Sequence, residues 1–158
     1  MNFLQFVVVG SLVAACSAHL CLLSPPQRGT MMGINKAGAN DCGLTASPCG
    51  GRMAGMNPTY FKTGENVTVV LQKNLDHYSK PTPGNFKVNL MMDNASTATA
   101  TATIMDMGEP SLSIYSTSMM IPHTASKGKY MIQVVYNTMN PDTGVPPQFY
   151  QCTDVMLH

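Results

Sequence analysis

The sequence predicts an all-β protein, an immunoglobulin-like or fibronectin-like antiparallel β-sandwich with long, disulfide-stapled loops near its amino terminus. Short apolar runs alternate with period two, and β-branched and aromatic residues are concentrated in those runs. Such residues favour strands, and no stretch has the period of an amphipathic helix. Several short strands separated by turn residues are typical of two packed sheets.

Five runs have the length and composition of strands. The first is rich in valine and follows Gly64, and the second alternates polar and apolar residues up to Leu90. A strict alternation of Thr and Ala leads into Ile104 and predicts a strand with a threonine face toward water, although a mucin-like O-glycosylated tract has the same composition. The predicted strands cover residues 66–71, 85–90, 96–104, 129–136 and 148–155.

The stretch from Cys21 to Pro58 is predicted to be mostly irregular. Pro25 and Pro26 exclude a helix where they stand and favour extended backbone, and the glycines up to Gly55 indicate turns. Because such a segment buries little apolar surface, we expect disulfides to hold it against the sandwich.

Residues 1–18 are predicted to be a secretory signal peptide, which leaves residues 19–158 as one secreted domain. The apolar run is too short to cross a bilayer comfortably, and it ends in small residues at Cys16 and Ala18, as a cleavage site requires. A bacterial lipoprotein box ending at Cys16 is the rival interpretation; it would place His19 inside the mature chain. No second apolar run is long enough to span a membrane.

The cysteines that follow the leader are expected to form disulfides. Their number is even and the secretory route is oxidising, which predicts two bridges. The pairing that we expect is Cys42 with Cys152 and Cys21 with Cys49. Zinc is a weaker interpretation because no Cys-x-x-Cys pair is present.

Bulk charge argues against nucleic acid as a partner. Charged residues make up only 11% of the chain and the formal net charge is +1, so there is no basic field to attract phosphates. We expect a monomer that does not select its partners by net charge.

His19 would become the first residue after cleavage behind Ala18, and this position gives it a special metal-binding capacity. Its α-amine and its imidazole Nδ1 can close a chelate ring on one metal ion, which no internal histidine can do. The two groups have ordinary pKa values of about 7.7–8.0 and about 6.5, so a divalent metal displaces at most one proton near neutral pH.

Three other histidines are candidate partners for His19. His77 lies between two predicted strands, at a loop end of the sandwich, and His123 is in a similar position. His158 ends the chain and is expected to be frayed. A lone loop histidine is more often solvated than metal-bound, so spacing alone does not select among them.

Asp154 is the candidate acidic ligand. It shares one face of the last predicted strand with Tyr150 and Cys152, because side chains alternate along a strand. If Cys152 is tied to the amino-terminal loops, Asp154 is carried toward His19. A carboxylate added to three nitrogens makes the kind of N/O site that Cu(II) favours.

Several segments together resemble one protein family. The chain is similar to the copper-binding proteins related to lytic polysaccharide monooxygenases, the group that includes fungal copper-acquisition factors. The most specific piece is Tyr150–Asp154, and the resemblance spans nearly all of the predicted mature chain. The segments that carry it are His19, Ser24–Gly29, Cys49–Gly51, His77 before Gly84–Phe86, and Phe149–Val155.

The resemblance implies one copper per chain, held by the His19 amine and Nδ1, the His77 imidazole and the Asp154 carboxylate, with His123 in reserve for His77. That family carries an aspartate near copper where the monooxygenases usually place an axial tyrosine or phenylalanine. An anionic ligand there favours Cu(II) and blocks a position that oxygen activation needs. The implied function is extracellular copper acquisition or delivery without catalysis, with a membrane copper transporter or cell-surface protein as the receiving partner.

Two other functions are consistent with the residues. A copper-dependent polysaccharide monooxygenase would need Tyr150 as its axial group, but the chain has no Trp to stack on sugar. A secreted structural or adhesive domain would carry the histidines incidentally. The 14 methionines are expected to fill the core, with Cu(I) binding by thioethers as the alternative. Sequons at Asn66 and Asn94 predict a glycoprotein.

Overall fold

The computed structural model describes residues 19–93 and 95–158. The predicted leader and the Asn94 sequon therefore lie outside the described residues. The described chain is a β-sandwich, as predicted, with one short 3-10 turn at Asn40–Cys42 and no α-helix in the described ranges. Its strands are β1 (His19–Ser24), β2 (Thr59–Phe61), β3 (Asn66–Leu75), β4 (Asn85–Met92), β5 (Ala98–Met105), β6 (Ser113–Met120), β7 (Gly128–Asn137) and β8 (Gln148–Leu157).

Two sheets make up the sandwich. One has three strands in the order β1-β3-β6, and the other has five in the order β2-β8-β7-β4-β5. All pairings are antiparallel except that of β2 with β8, which is parallel. None of the described helical residues could span a membrane.

The core lies between the sheets and explains the period-two pattern. Alternate residues of β3, β4 and β7 face inward, and burying each large apolar side chain contributes on the order of 2 kcal/mol. The fully buried apolar residues include Val69, Leu71, Phe86, Val88, Leu90, Ile132, Val134 and Tyr136.

The five predicted strands are confirmed, and three further strands were missed. β1 is a continuous apolar run from Leu20 to Leu23 without alternation, and β2 has only three residues. β6 does alternate, since Tyr115 is buried and Ile114 is exposed, but serine dominates its outer face. The stretch predicted to be irregular from Cys21 therefore begins inside a strand.

The predicted disulfide pairing is wrong. The bridges are Cys21–Cys42 and Cys49–Cys152, with Cα–Cα distances of 4.8 and 5.1 Å, well within disulfide range. Cys42 ends the 3-10 turn, which folds back on β1, so its nearest cysteine is Cys21. Cys49 instead reaches β8 and packs with Cys152 and Met131.

The prediction that methionines fill the core is also mostly wrong. Among the described methionines only Met91, Met119 and Met131 are buried. The exposed ones are Met32, Met53, Met56, Met92, Met105, Met107, Met120 and Met139.

Candidate metal centre

The strand register brings His19 and His77 to the same end of the sandwich. His19 is the first residue of β1 and lies opposite Leu75, the last residue of β3. His77 follows Leu75 by two residues, so the predicted loop histidine is carried back beside the start of β1. Only 3% of His19 and 7% of His77 is exposed.

Both imidazoles stack on one aromatic ring. The Phe149 ring centroid lies 6.5 Å from that of His19 and 6.4 Å from that of His77, with interplanar angles of 18° and 14°. Phe149 is fully buried and belongs to β8 of the other sheet. The pair is therefore held by three strands from two sheets, the kind of rigid frame that a metal site needs.

Phe149 is the site residue that sequence reasoning missed. The sequence offers Tyr150 as the aromatic axial group of a monooxygenase, but neighbouring side chains of a strand face opposite ways. The Tyr150 hydroxyl donates to Gln148 Oε1, and its backbone N–H donates to Leu44 O at 2.8 Å. Strand alternation could have found it: a strand that turns Tyr150 and Cys152 to one face turns Phe149 to the other, which is the face toward the histidines.

Gly43 forms a close wall against His19. A Cβ at this position would lie 2.6 Å from His19 Nε2, which is closer than real Cβ contacts. Gly43 directly follows Cys42, so the Cys21–Cys42 disulfide ties this wall to the strand that begins with His19. The wall meets Nε2 and leaves the other ring nitrogen, Nδ1, as the one that could chelate with the amine.

Replacing Gly43 by Ala is expected to lower Cu(II) affinity about 10-fold, as changes next to a ligand typically do. The φ of Gly43 is −89°, which any residue adopts, so the added methyl acts by displacing the His19 ring. Isothermal titration with Cu(II) measures the effect. Gly55→Ala is the matched control, because a Cβ there would meet Asp154 at 3.3 Å and no histidine. Equal affinities for both variants would contradict the prediction.

Asp154 is not brought to the histidines. Its Oδ1 forms an ion pair with Arg28 Nη2 at 2.6 Å, and its Oδ2 accepts from the Gly55 backbone N–H at 2.7 Å. It lies five positions beyond Phe149 on β8, roughly 16 Å along the strand at ~3.3 Å per residue, and on the opposite face. In this structure the carboxylate anchors the amino-terminal loops.

His123 and His158 also lie away from the pair. His123 packs over Gly64, just before the start of β3, and β3 separates it from His77 by roughly 30 Å of strand. The His158 ring contacts Tyr60 at 6.3 Å. Within residues 19–93 and 95–158, no group of three or more His, Cys, Asp or Glu side chains is arranged to hold a metal ion.

The donor chemistry of the histidine pair nevertheless suits copper. Imidazole is a good ligand for copper, and two buried imidazoles meet at one aromatic surface. A third nitrogen would come from the α-amine of His19 once that residue is the first of the chain. These are the only nitrogens that the proposed site requires.

Comparison with known families is consistent with this chemistry. The family model described as copper acquisition factor BIM1-like matches residues 17–158, which is nearly the whole chain. No curated protein matches this chain. The match confirms the resemblance found in the sequence and supports a copper-acquisition role. This chain therefore belongs to the BIM1-like family of copper acquisition factors.

Proposed function

We propose that this protein is a secreted copper-binding protein that holds one Cu(II) through the His19 amine, His19 Nδ1 and the His77 imidazole. The observation that carries the proposal is the shared stacking of both imidazoles on Phe149. Membership of a copper acquisition family indicates that the metal bound as cargo is copper. Cleavage behind Ala18 would supply the free amine, and the disulfides are typical of an oxidising compartment.

The proposal leaves Asp154 outside the ligand set. To reach the histidines, its carboxylate would have to leave Arg28 and Gly55 and cross about half of β8. Breaking a bidentate Arg–carboxylate pair costs more than a neutral hydrogen bond. A ligand set of three nitrogens needs no such rearrangement.

The role that we propose is capture of extracellular copper by a monomer and its transfer to a membrane copper transporter or another cell-surface protein. Copper enters and leaves this site as cargo. Asn66 is exposed at the start of β3, at the end of the strand away from His77, so a glycan on this sequon would leave the copper end open.

A copper-dependent polysaccharide monooxygenase is the second candidate, and Phe149 is the observation that favours it. An apolar ring occupies no ligand position, so the open coordination site that metal catalysis needs is not blocked by an acid. Incubation of the copper-loaded protein with ascorbate and chitin or cellulose separates the two functions. Oxidised oligosaccharides formed in proportion to protein would favour the enzyme, and their absence alongside tight Cu(II) binding would favour acquisition.

Copper titration of histidine variants tests the site. In a protein that begins at His19, His77→Ala is expected to weaken Cu(II) binding by at least about 100-fold, because it removes a ligand, whereas changing a residue that hydrogen-bonds a ligand typically costs about 10- to 100-fold. His123→Ala is the matched control and should bind like the parent protein, because it lies at the far end of β3. Asp154→Asn should also retain the parent affinity. A His77→Ala protein that binds as tightly as the parent would overturn the proposed site.

A further inference from the structure

A buried ion pair lies directly beside the candidate metal centre. Lys73 and Asp106 are both fully buried, and Lys73 Nζ is 2.7 Å from Asp106 Oδ1. Removing two charges from water is costly, and their mutual attraction offsets this cost only with good geometry and further hydrogen bonds. The further hydrogen bonds of this pair lead to His77.

Lys73 holds the residue that precedes His77. Its Nζ is also 2.9 Å from Asp76 Oδ1, and the same carboxylate oxygen accepts from the Tyr78 backbone N–H at 3.0 Å. The Asp76 side chain, held by Lys73, therefore also holds the backbone of Tyr78 on the other side of His77.

Tyr136 approaches His77 from the other sheet. Its hydroxyl donates to Asp106 Oδ2 at 2.6 Å, and the His77 backbone forms a hydrogen bond with that hydroxyl. Burial, with the Asp106 carboxylate as a second cause, raises the pKa of the Tyr136 phenol. The phenol thus links His77 to the buried ion pair.

The Tyr136 ring adds a packing contact to the same site. It stacks on Phe86 at 4.4 Å and tilts against Phe149, the ring on which both histidines lie, at 6.5 Å. His77 is therefore connected to Tyr136 in two ways. The His77 backbone hydrogen-bonds the Tyr136 hydroxyl, and the His77 ring and the Tyr136 ring both contact Phe149.

We propose that Lys73, Asp106 and Tyr136 form a positioning network that fixes the His77 segment against Phe149 before copper arrives. This inference rests on the proposed function and deepens it. A preformed ligand loses less conformational freedom on binding, which raises affinity without a new contact. The carboxylates of Asp76 and Asp106 outnumber the one ammonium of Lys73, so the network leaves net negative charge beside the site, which favours a bound cation.

Removal of one hydroxyl tests the network. Tyr136→Phe keeps the ring stack on Phe86 and deletes the hydroxyl's bonds to Asp106 and to the His77 backbone. Tyr115→Phe is the matched control: its ring also packs on Phe86, at 4.8 Å, and its hydroxyl donates to Glu109, with Asp106 only at 3.5 Å. Both variants remove a phenol hydroxyl from the same core, and it is the Tyr136 hydroxyl that hydrogen-bonds the His77 backbone.

The expected result is a Cu(II) dissociation constant about 10-fold higher for Tyr136→Phe and unchanged for Tyr115→Phe, with an altered Cu(II) paramagnetic resonance spectrum for Tyr136→Phe alone. Thermal unfolding of the two variants shows whether lost stability alone explains the change. An unchanged constant for Tyr136→Phe, or equal weakening in both variants, would overturn the network. Failure of the parent protein to bind Cu(II) would instead overturn the proposed function, so the two failures are distinguishable.

Discussion

Cu(II) affinity is expected to fall by at least about 100-fold when one extra residue precedes His19. The extra residue converts the α-amine into an amide, whose nitrogen is far less basic and cannot complete the chelate ring with Nδ1. The site would then retain only the two imidazoles as nitrogen ligands. Isothermal titration with Cu(II) of the extended and the processed protein measures the loss.

The control for this prediction is the extended protein itself. Enzymatic removal of the extra residue should restore the affinity of the processed protein, because the sequence is then identical. Equal affinity before and after removal would mean that the amine is not a ligand. That outcome would leave the His77 variant as an independent test of the imidazole pair.

Most of the fold could be predicted because the sandwich is encoded in local alternation. The residues that β3, β4 and β7 contribute to the main core alternate along each strand, as in Val67 and Val69, Phe86 and Val88, and Ile132 and Val134, and the sequence records that apolar pattern directly. β1 was not predicted because Leu20, Cys21 and Leu22 are all fully buried. Leu20 and Leu22 face the core between the sheets, and Cys21 faces the amino-terminal loops that cover the other side of the strand. A strand covered on both faces loses its period-two pattern.

The disulfides and the Asp154 contact could not be predicted for a different reason. Both depend on where an irregular loop lies on the surface of the sandwich. Alternation correctly places Asp154 on one face of β8, but the partner on that face is Arg28, which a glycine-rich loop delivers. Loop position follows from tertiary packing, which local sequence patterns do not record.

The histidines were predictable by type and position, and the residues that hold them were not. His19 and His77 were identified from the predicted cleavage site, the loop position and the family resemblance. Lys73 looks like an ordinary strand lysine that points to water, yet it is fully buried because Asp106 follows β5 into the same end of the sandwich. A long-range ion pair of this kind has no local sequence pattern.

Removal of the Cys49–Cys152 disulfide is expected to cost more stability than removal of Cys21–Cys42. The first closes a sequence separation of 103 residues and the second one of 21. The chain-entropy estimate is about 5 kcal/mol for a loop of ~100 residues and about 3 kcal/mol for one of ~20. Because the two loops do not overlap, double Cys→Ala variants measured by chemical denaturation should show the difference directly.

Copper affinity should rank the same two variants in the opposite order. Cys42 directly precedes Gly43, whose backbone packs against the His19 ring. Loss of the Cys21–Cys42 disulfide lets the Gly43 segment move away from His19, which should weaken Cu(II) binding about 10-fold. Cys152 lies on β8, which stays paired with β7 when its disulfide is removed, so Phe149 keeps its place and affinity should be unchanged in protein that remains folded. If affinity instead fell in proportion to lost stability, the Gly43 wall would have no specific role. Alanine in both positions leaves no free thiol to bind copper, so the titration reports the histidine site alone.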